Sequence, residues 1–155
     1  MKAFSILFLI LLLPILSSKA EPTAPMVDIQ AEEIEMDQRT GVVLFRGNVR
    51  VTRGKIRLFC DRLEAKYQNG KLISLNASGQ VRAESETFVI TARDAQFNSK
   101  DQRIDLTGHP TIKQGNNRLS GDKVSVWVDS DRVVVHQARG HFDPASLDPE
   151  NTPQK

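Results

Sequence analysis

From Ala31 onward the chain repeats itself roughly every thirty residues, and that period restricts its folds more than any other feature. The repeat is anchored by Gly47, Gly79, Gly108 and Gly140. Two positions before each stand Phe45, Ala77, Leu106 and Ala138, and two after come Val49, Val81, Pro110 and Phe142. Four before stand Val43, Leu75 and Ile104, with His136 in the last copy. Polar residues fill the alternate positions, among them Arg46, Ser78, Thr107 and Arg139 just before each glycine. Apolar residues at period 2 describe a strand with one face covered and one in solvent. Four copies predict a stacked β-architecture in which each unit buries its neighbour.

A second register lies between the glycines. Small residues recur at Ala31, Cys60, Ala92 and Gly121, preceded at the strand period by Ile29, Leu58, Ile90 and Leu119. After each, the apolar phase slips by one residue before resuming at Ile34, Leu63, Ala95 and Val124. A slipped period needs a bulge or bend, which a small side chain suits. Each unit therefore reads as a strand, a corner at the small residue, a second strand, a turn, and a return strand carrying the glycine. The turns stand at Asp37–Gly41, Gln68–Lys71, Ser99–Gln102 and Asp129–Asp131, rich in Gly, Asn, Asp and Ser. No sustained 3.6-residue apolar stripe appears past the N-terminus, so the expected class is all-β, built from stacked antiparallel hairpin units.

The first residues obey a different logic. Lys2 precedes an apolar run from Phe4 to Leu16, and Ser18-Lys19-Ala20 supplies small residues for cleavage. That is the pattern of a secretory signal peptide over 1–20, cut near Ala20. At about 13 residues the run falls short of the roughly 20 that a spanning helix needs, the rival reading being a retained anchor. Residues 21–26 read as a flexible lead-in, 27–142 as one domain, and 143–155 as a disordered proline-bearing tail. Without Lys2 and Lys19, the 21 basic residues fall level with the 19 acidic ones. A nucleic-acid binder would carry a basic excess, so none is expected as a partner.

Catalysis finds little support. His109, His136 and His141 show no metal-ligand spacing, and neither a nucleophile elbow nor a phosphate-cradling glycine loop is present. No catalytic residue, metal or cofactor is expected. Cys60 fills a slot taken elsewhere by Ala or Gly, as a buried small residue would. The inward phase mixes large residues with Ala65, Ala77, Ala83, Ala95 and Ala138. So many small side chains fit either tight packing of sheet on sheet or a groove that accepts a lipid chain. Arg46 to Lys66 is the most basic stretch, as either a solvent face or a phosphate-contacting one.

The opening Val27-Asp28-Ile29-Gln30-Ala31-Glu32-Glu33-Ile34-Glu35-Met36-Asp37, then Gly41-Val42-Val43-Leu44-Phe45-Arg46-Gly47-Asn48-Val49-Arg50-Val51, resembles the OstA-like N-terminal domain of the LptA lipopolysaccharide-transport family. The similarity runs from about Val27 to Phe142, with Pro110 and Cys60 as departures and a chain somewhat shorter than usual for the family. It implies an open β-jellyroll in the periplasm that holds the acyl chains of lipopolysaccharide on its apolar inner face and helps bridge inner to outer membrane. The lining expected from it comprises Val43, Phe45, Val49, Val51, Leu58, Leu75, Ala77, Val81, Ile90, Leu106, Ile112 and Phe142. Arg46, Arg50 and Arg57 are the expected phosphate contacts. LptC-like and LptD-like jellyrolls, and other copies of the chain, are the implied partners through edge-strand pairing. The alternative is an LptC-like or other periplasmic scaffold of the same fold that carries no lipid.

Overall fold

The computed structural model describes residues 26–144 apart from residue 131. The expected signal peptide, most of the lead-in and the tail beyond Pro144 lie outside that range. The strands are β1 (Val27–Gln30), β2 (Glu33–Asp37), β3 (Val42–Arg53), β4 (Ile56–Gln68), β5 (Lys71–Glu84), β6 (Phe88–Asn98), β7 (Arg103–Thr107), β8 (Thr111–Gln114), β9 (Asn117–Ser120), β10 (Lys123–Trp127), β11 (Arg132–His136) and β12 (Arg139–His141). All pair antiparallel in one sheet, as expected of an all-β chain of hairpin units.

The sheet is creased into two layers. The four long strands β3 to β6 run through both, and their ladders slip between Arg46 and Val49, Phe59 and Arg62, and Ser78 and Val81. On one side of the crease β2, β7, β10 and β11 complete the first layer. On the other, β1, β8, β9 and β12 complete the second.

Both sequence registers meet at the crease. Gly47 (φ +76°) is followed by Asn48 (+46°), Gly79 (+79°) by Gln80 (+48°), and Gly108 (+78°) by His109 (+58°). Two successive left-handed residues turn the strand, and the first of each pair is glycine because L side chains resist that conformation. Space enforces the choice as well. A Cβ on Gly47 would collide with the side chain of Glu32, one on Gly79 with that of Asp61, and one on Gly108 with Arg93. These three neighbours directly follow the small residues Ala31, Cys60 and Ala92, so each glycine receives the corner of the preceding strand.

The fourth copy departs from the pattern. Gly140 sits inside β12 opposite Leu119, and the bend falls earlier, at Gln137 (φ +52°). Among the described residues no strand follows β12 to crease with it, so its bend need not stay in line. Gly140 instead makes room for the Phe142 ring, which a Cβ there would strike. Among the hairpins, Asn69 (+52°) and Gly70 (+73°) form the two-residue turn with both φ values positive that matches strand twist. In the Asp37–Gly41 turn, Asp37 Oδ1 accepts the Arg39 and Thr40 backbone N–H groups at 2.9 and 3.3 Å.

Cross-strand neighbours share a face. Beside the crease, the inward row of the first layer runs Phe45, Leu63, Ala77, Ala95, Leu106 and Val124. The core centres where this row meets Val49, Val51, Cys60 and Val81 of the second layer. Leu63 is 2% exposed, Val49 1% and Val124 0%.

Candidate functional site

Burial falls away from the crease in the second layer, and this gradient shapes the candidate site. Next to the crease Val49, Cys60, Val81 and Pro110 are buried. One step further out, an inward row crosses the layer through Ile29, Val51, Leu58, Ala83, Ile90, Ile112 and Leu119. Val51 alone in that row is buried; the others are only partly covered. The inner face is thus packed at the hinge and leaves a stripe of aliphatic side chains partly uncovered further out. Such a continuous apolar stripe costs free energy in water and commonly marks a binding surface.

The residues expected to line a groove divide along this gradient. Val43, Phe45, Val49, Ala77, Val81 and Leu106 are buried in the packed interior, with Val51 at its margin. Leu58, Leu75, Ile90 and Ile112 are half-buried. Phe142, just beyond β12, is 47% exposed. Leu119 and Ala83 continue the half-buried row and were legible in the strand period, Leu119 by its place two before Gly121. The Tyr67 hydroxyl is enclosed against the same core with no hydrogen-bond partner among the described residues, and burial pushes the phenol's pKa up.

The three arginines expected to gather do not. Arg46 lies on the outward face of the first layer, where its Nη1 bonds Glu33 at 2.8 Å and Glu35 at 2.9 Å and ties β2 to β3. Arg50 and Arg57 lie outward on the second layer, Arg50 over the Phe59 ring and Arg57 at 2.9 Å from Glu84. The crease between Arg46 and Arg50 sends them to different surfaces.

Other titratable groups have structural surroundings. Burial, reinforced by Asp61, raises the Cys60 thiol to about 11, so it stays protonated at neutral pH. Asp105 is pushed up by burial, but a 2.6 Å bond from Ser125 Oγ and the charges of Lys123 and Arg103 outweigh that and hold its carboxyl below the usual range. Among the described residues, no group of three His, Cys, Asp or Glu side chains is placed to hold a metal.

The sheet ends in unpaired edges. Among the described residues β1 and β2 each pair only with β3, while β11 pairs only with β10 and β12 only with β9. The C-terminal edge of the first layer begins at Arg132, because β10 is sandwiched between β7 and β11. Asp143, after β12, is held at the β8–β9 turn: its N–H donates to Asn117 Oδ1 at 2.8 Å and its carboxylate accepts Asn116 Nδ2 at 3.2 Å.

The family model described as "LptA/(LptD N-terminal domain) LPS transport protein" matches residues 28–132. Among solved structures, the chain is similar to LptH of Pseudomonas aeruginosa, the LptA-homologous periplasmic component of its lipopolysaccharide transport device. The two are 18% identical over 77% of this chain and 96% of that one, with a TM-score of 0.68, which shows a shared fold. A search of curated protein sequences gave no match.

Proposed function

The chain belongs to the LptA/LptD N-terminal domain family of lipopolysaccharide transport proteins, and from that premise we propose that it is a periplasmic carrier whose inner face shields lipopolysaccharide acyl chains. The observation that carries this reading is the half-covered aliphatic row of Leu58, Ile90, Ile112 and Leu119, facing inward beside a packed hinge. Acyl chains laid along that row would remove both their own surface and the protein's from water, at about 25 cal/mol per Å² of apolar area. The Tyr67 hydroxyl and the outward cations do not enter this step; the groove acts by exclusion of water and performs no bond chemistry. Export follows from the signal-peptide pattern over residues 1–20.

Movement of the lipid between membranes would use the two edges. Their free N–H and C=O groups suit extension by another strand. The N-terminal edge of one molecule pairs with the C-terminal edge of the next, or with an LptC-like or LptD-like jellyroll, a contact that repeats without closing. The carboxylate of Asp28 at one edge and the cations Arg132 and Arg139 at the other favour this polarity.

A photo-crosslinking residue placed in cells at Leu58, Ile90 or Ile112 tests the carrier, with the outward positions Asn76 and Gln96 as controls. Lipopolysaccharide adducts confined to the inward set are expected. Adducts at neither set, or equally at both, would overturn the carrier reading; edge-to-edge protein adducts without lipid would favour the scaffold.

A further inference from the structure

The outward surfaces of the two layers carry charge differently. On the first, Glu33, Glu35, Glu64 and Asp105 alternate with Arg46, Arg62, Arg103 and Lys123, and ion pairs join them. On the second, cross-strand neighbours bring Arg50, Arg57, Arg82, Lys113, Arg118 and Arg139 to one face, where Asp28 and Glu84 are the carboxylates among the described strand residues, with Asp122 and Asp143 in the adjoining connections. Glu84 is held by Arg57 at 2.9 Å and Arg82 at 2.7 Å. Lys113 and Arg118 have no ion-pair partner among the described residues, and they stand directly opposite each other across the β8–β9 hairpin. Like charges in that position weaken a bare sheet.

A concavity of about 130 Å³ opens between them, lined by Arg82, Val89, Thr91, Thr111, Lys113 and Arg118. It lies on the opposite face of the sheet from the aliphatic row, because Arg82 alternates with the inward Val81 and Ala83. Two hydroxyls and two uncommitted cations converge there, a donor set suited to a tetrahedral oxyanion. A wider depression of about 680 Å³ shares Thr111 and Arg118 and continues past Ser120, Arg139, His109 and Asp122. Its polar lining suits hydroxyl groups better than hydrocarbon. We infer that this outward concavity binds a phosphate group borne by a sugar, with the phosphate between Lys113 and Arg118 and the sugar over the depression. The inference goes beyond the acyl-chain reading and stands without it.

An NMR titration with glucosamine 1-phosphate tests it, following the amides of Thr91, Thr111, Lys113 and Arg118. Saturable shifts centred on β6, β8 and β9 are expected. Glucosamine should give none, and the double variant Lys113→Gln/Arg118→Gln should weaken binding about tenfold or more. That variant removes a repulsion, so its urea midpoint should not fall, and a folded variant that binds as well as the parent would overturn the site. Shifts spread equally to Lys66 and Arg132 of the first layer would also overturn it. Micelles of a phosphorylated and a dephosphorylated glycolipid identify the source. Variant-sensitive binding of the phosphorylated glycolipid alone supports a lipid headgroup; variant-sensitive binding of the free sugar phosphate alone supports a soluble ligand.

Discussion

Replacing Gly108 with Ala should unfold this protein far more readily than replacing Gly115, although both glycines adopt left-handed backbone, at φ +78° and +55°. An alanine in that conformation costs about 1–2 kcal/mol, partly offset by about 0.4–1 kcal/mol from a stiffer unfolded chain. For Gly115, in the β8–β9 turn, nothing lies within 4 Å of an added Cβ, so a net loss of about 1 kcal/mol is expected. At Gly108 the added Cβ would strike the Arg93 Cβ and lie 3.3 Å from both its Cα and its N. Those are backbone atoms of β6, whose displacement disturbs the ladders to β7 and β8. Overpacking of that kind adds about 1–3 kcal/mol, for a total of roughly 2–4 kcal/mol. Urea unfolding of both variants, with equal m-values, measures the difference. A third protein, Gly108→Ala/Arg93→Gly, removes the worst contact and should recover about 1 kcal/mol relative to the sum of the single changes. Equal losses for Gly108→Ala and Gly115→Ala, or strict additivity with Arg93→Gly, would refute the locking of each glycine against the preceding strand's corner.

Three further outcomes follow from the same structure. Phe45→Ala and Leu106→Ala, at side chains 3% and 5% exposed, should each cost about 2–5 kcal/mol by chemical denaturation, while Thr107→Ala should stay within about 0.5 kcal/mol; equal losses would mean the inward phase is misassigned. Because the Asp105 carboxylate is favoured in the folded state, its contribution is present above the unfolded aspartate range near pH 4 and is lost as pH falls through the lower folded value. Urea midpoints from pH 5 to pH 2 should therefore drop less steeply in Asp105→Asn than in the parent. Cys60, raised to about 11 from 9.0, disfavours folding progressively between those pH values, and at pH 8 iodoacetamide should label it only as fast as the protein opens; labelling at the rate of an exposed thiol would contradict its burial.

What the sequence determined by itself was everything that depends on neighbours along the chain. The alternation around Phe45 and Leu106 sets which face turns inward. The small residues Ala31, Cys60 and Ala92 mark the corners, and Asn69-Gly70 sets a hairpin, because these are local conformational preferences written within a few residues. The family resemblance carried the open jellyroll. Tertiary structure alone decided which residues from distant strands adjoin. It separated Arg46 from Arg50 by the crease, bent the return strands at Gly47, Gly79 and Gly108 but not at Gly140, and split the expected lining into a packed hinge at Phe45 and Val49 and a half-covered row at Leu58, Ile90 and Ile112. It also gathered Arg82, Lys113 and Arg118, which no spacing connects, around one concavity. Periodicity specifies the face of a strand, whereas register and the angle between layers follow from the packing of the whole sheet.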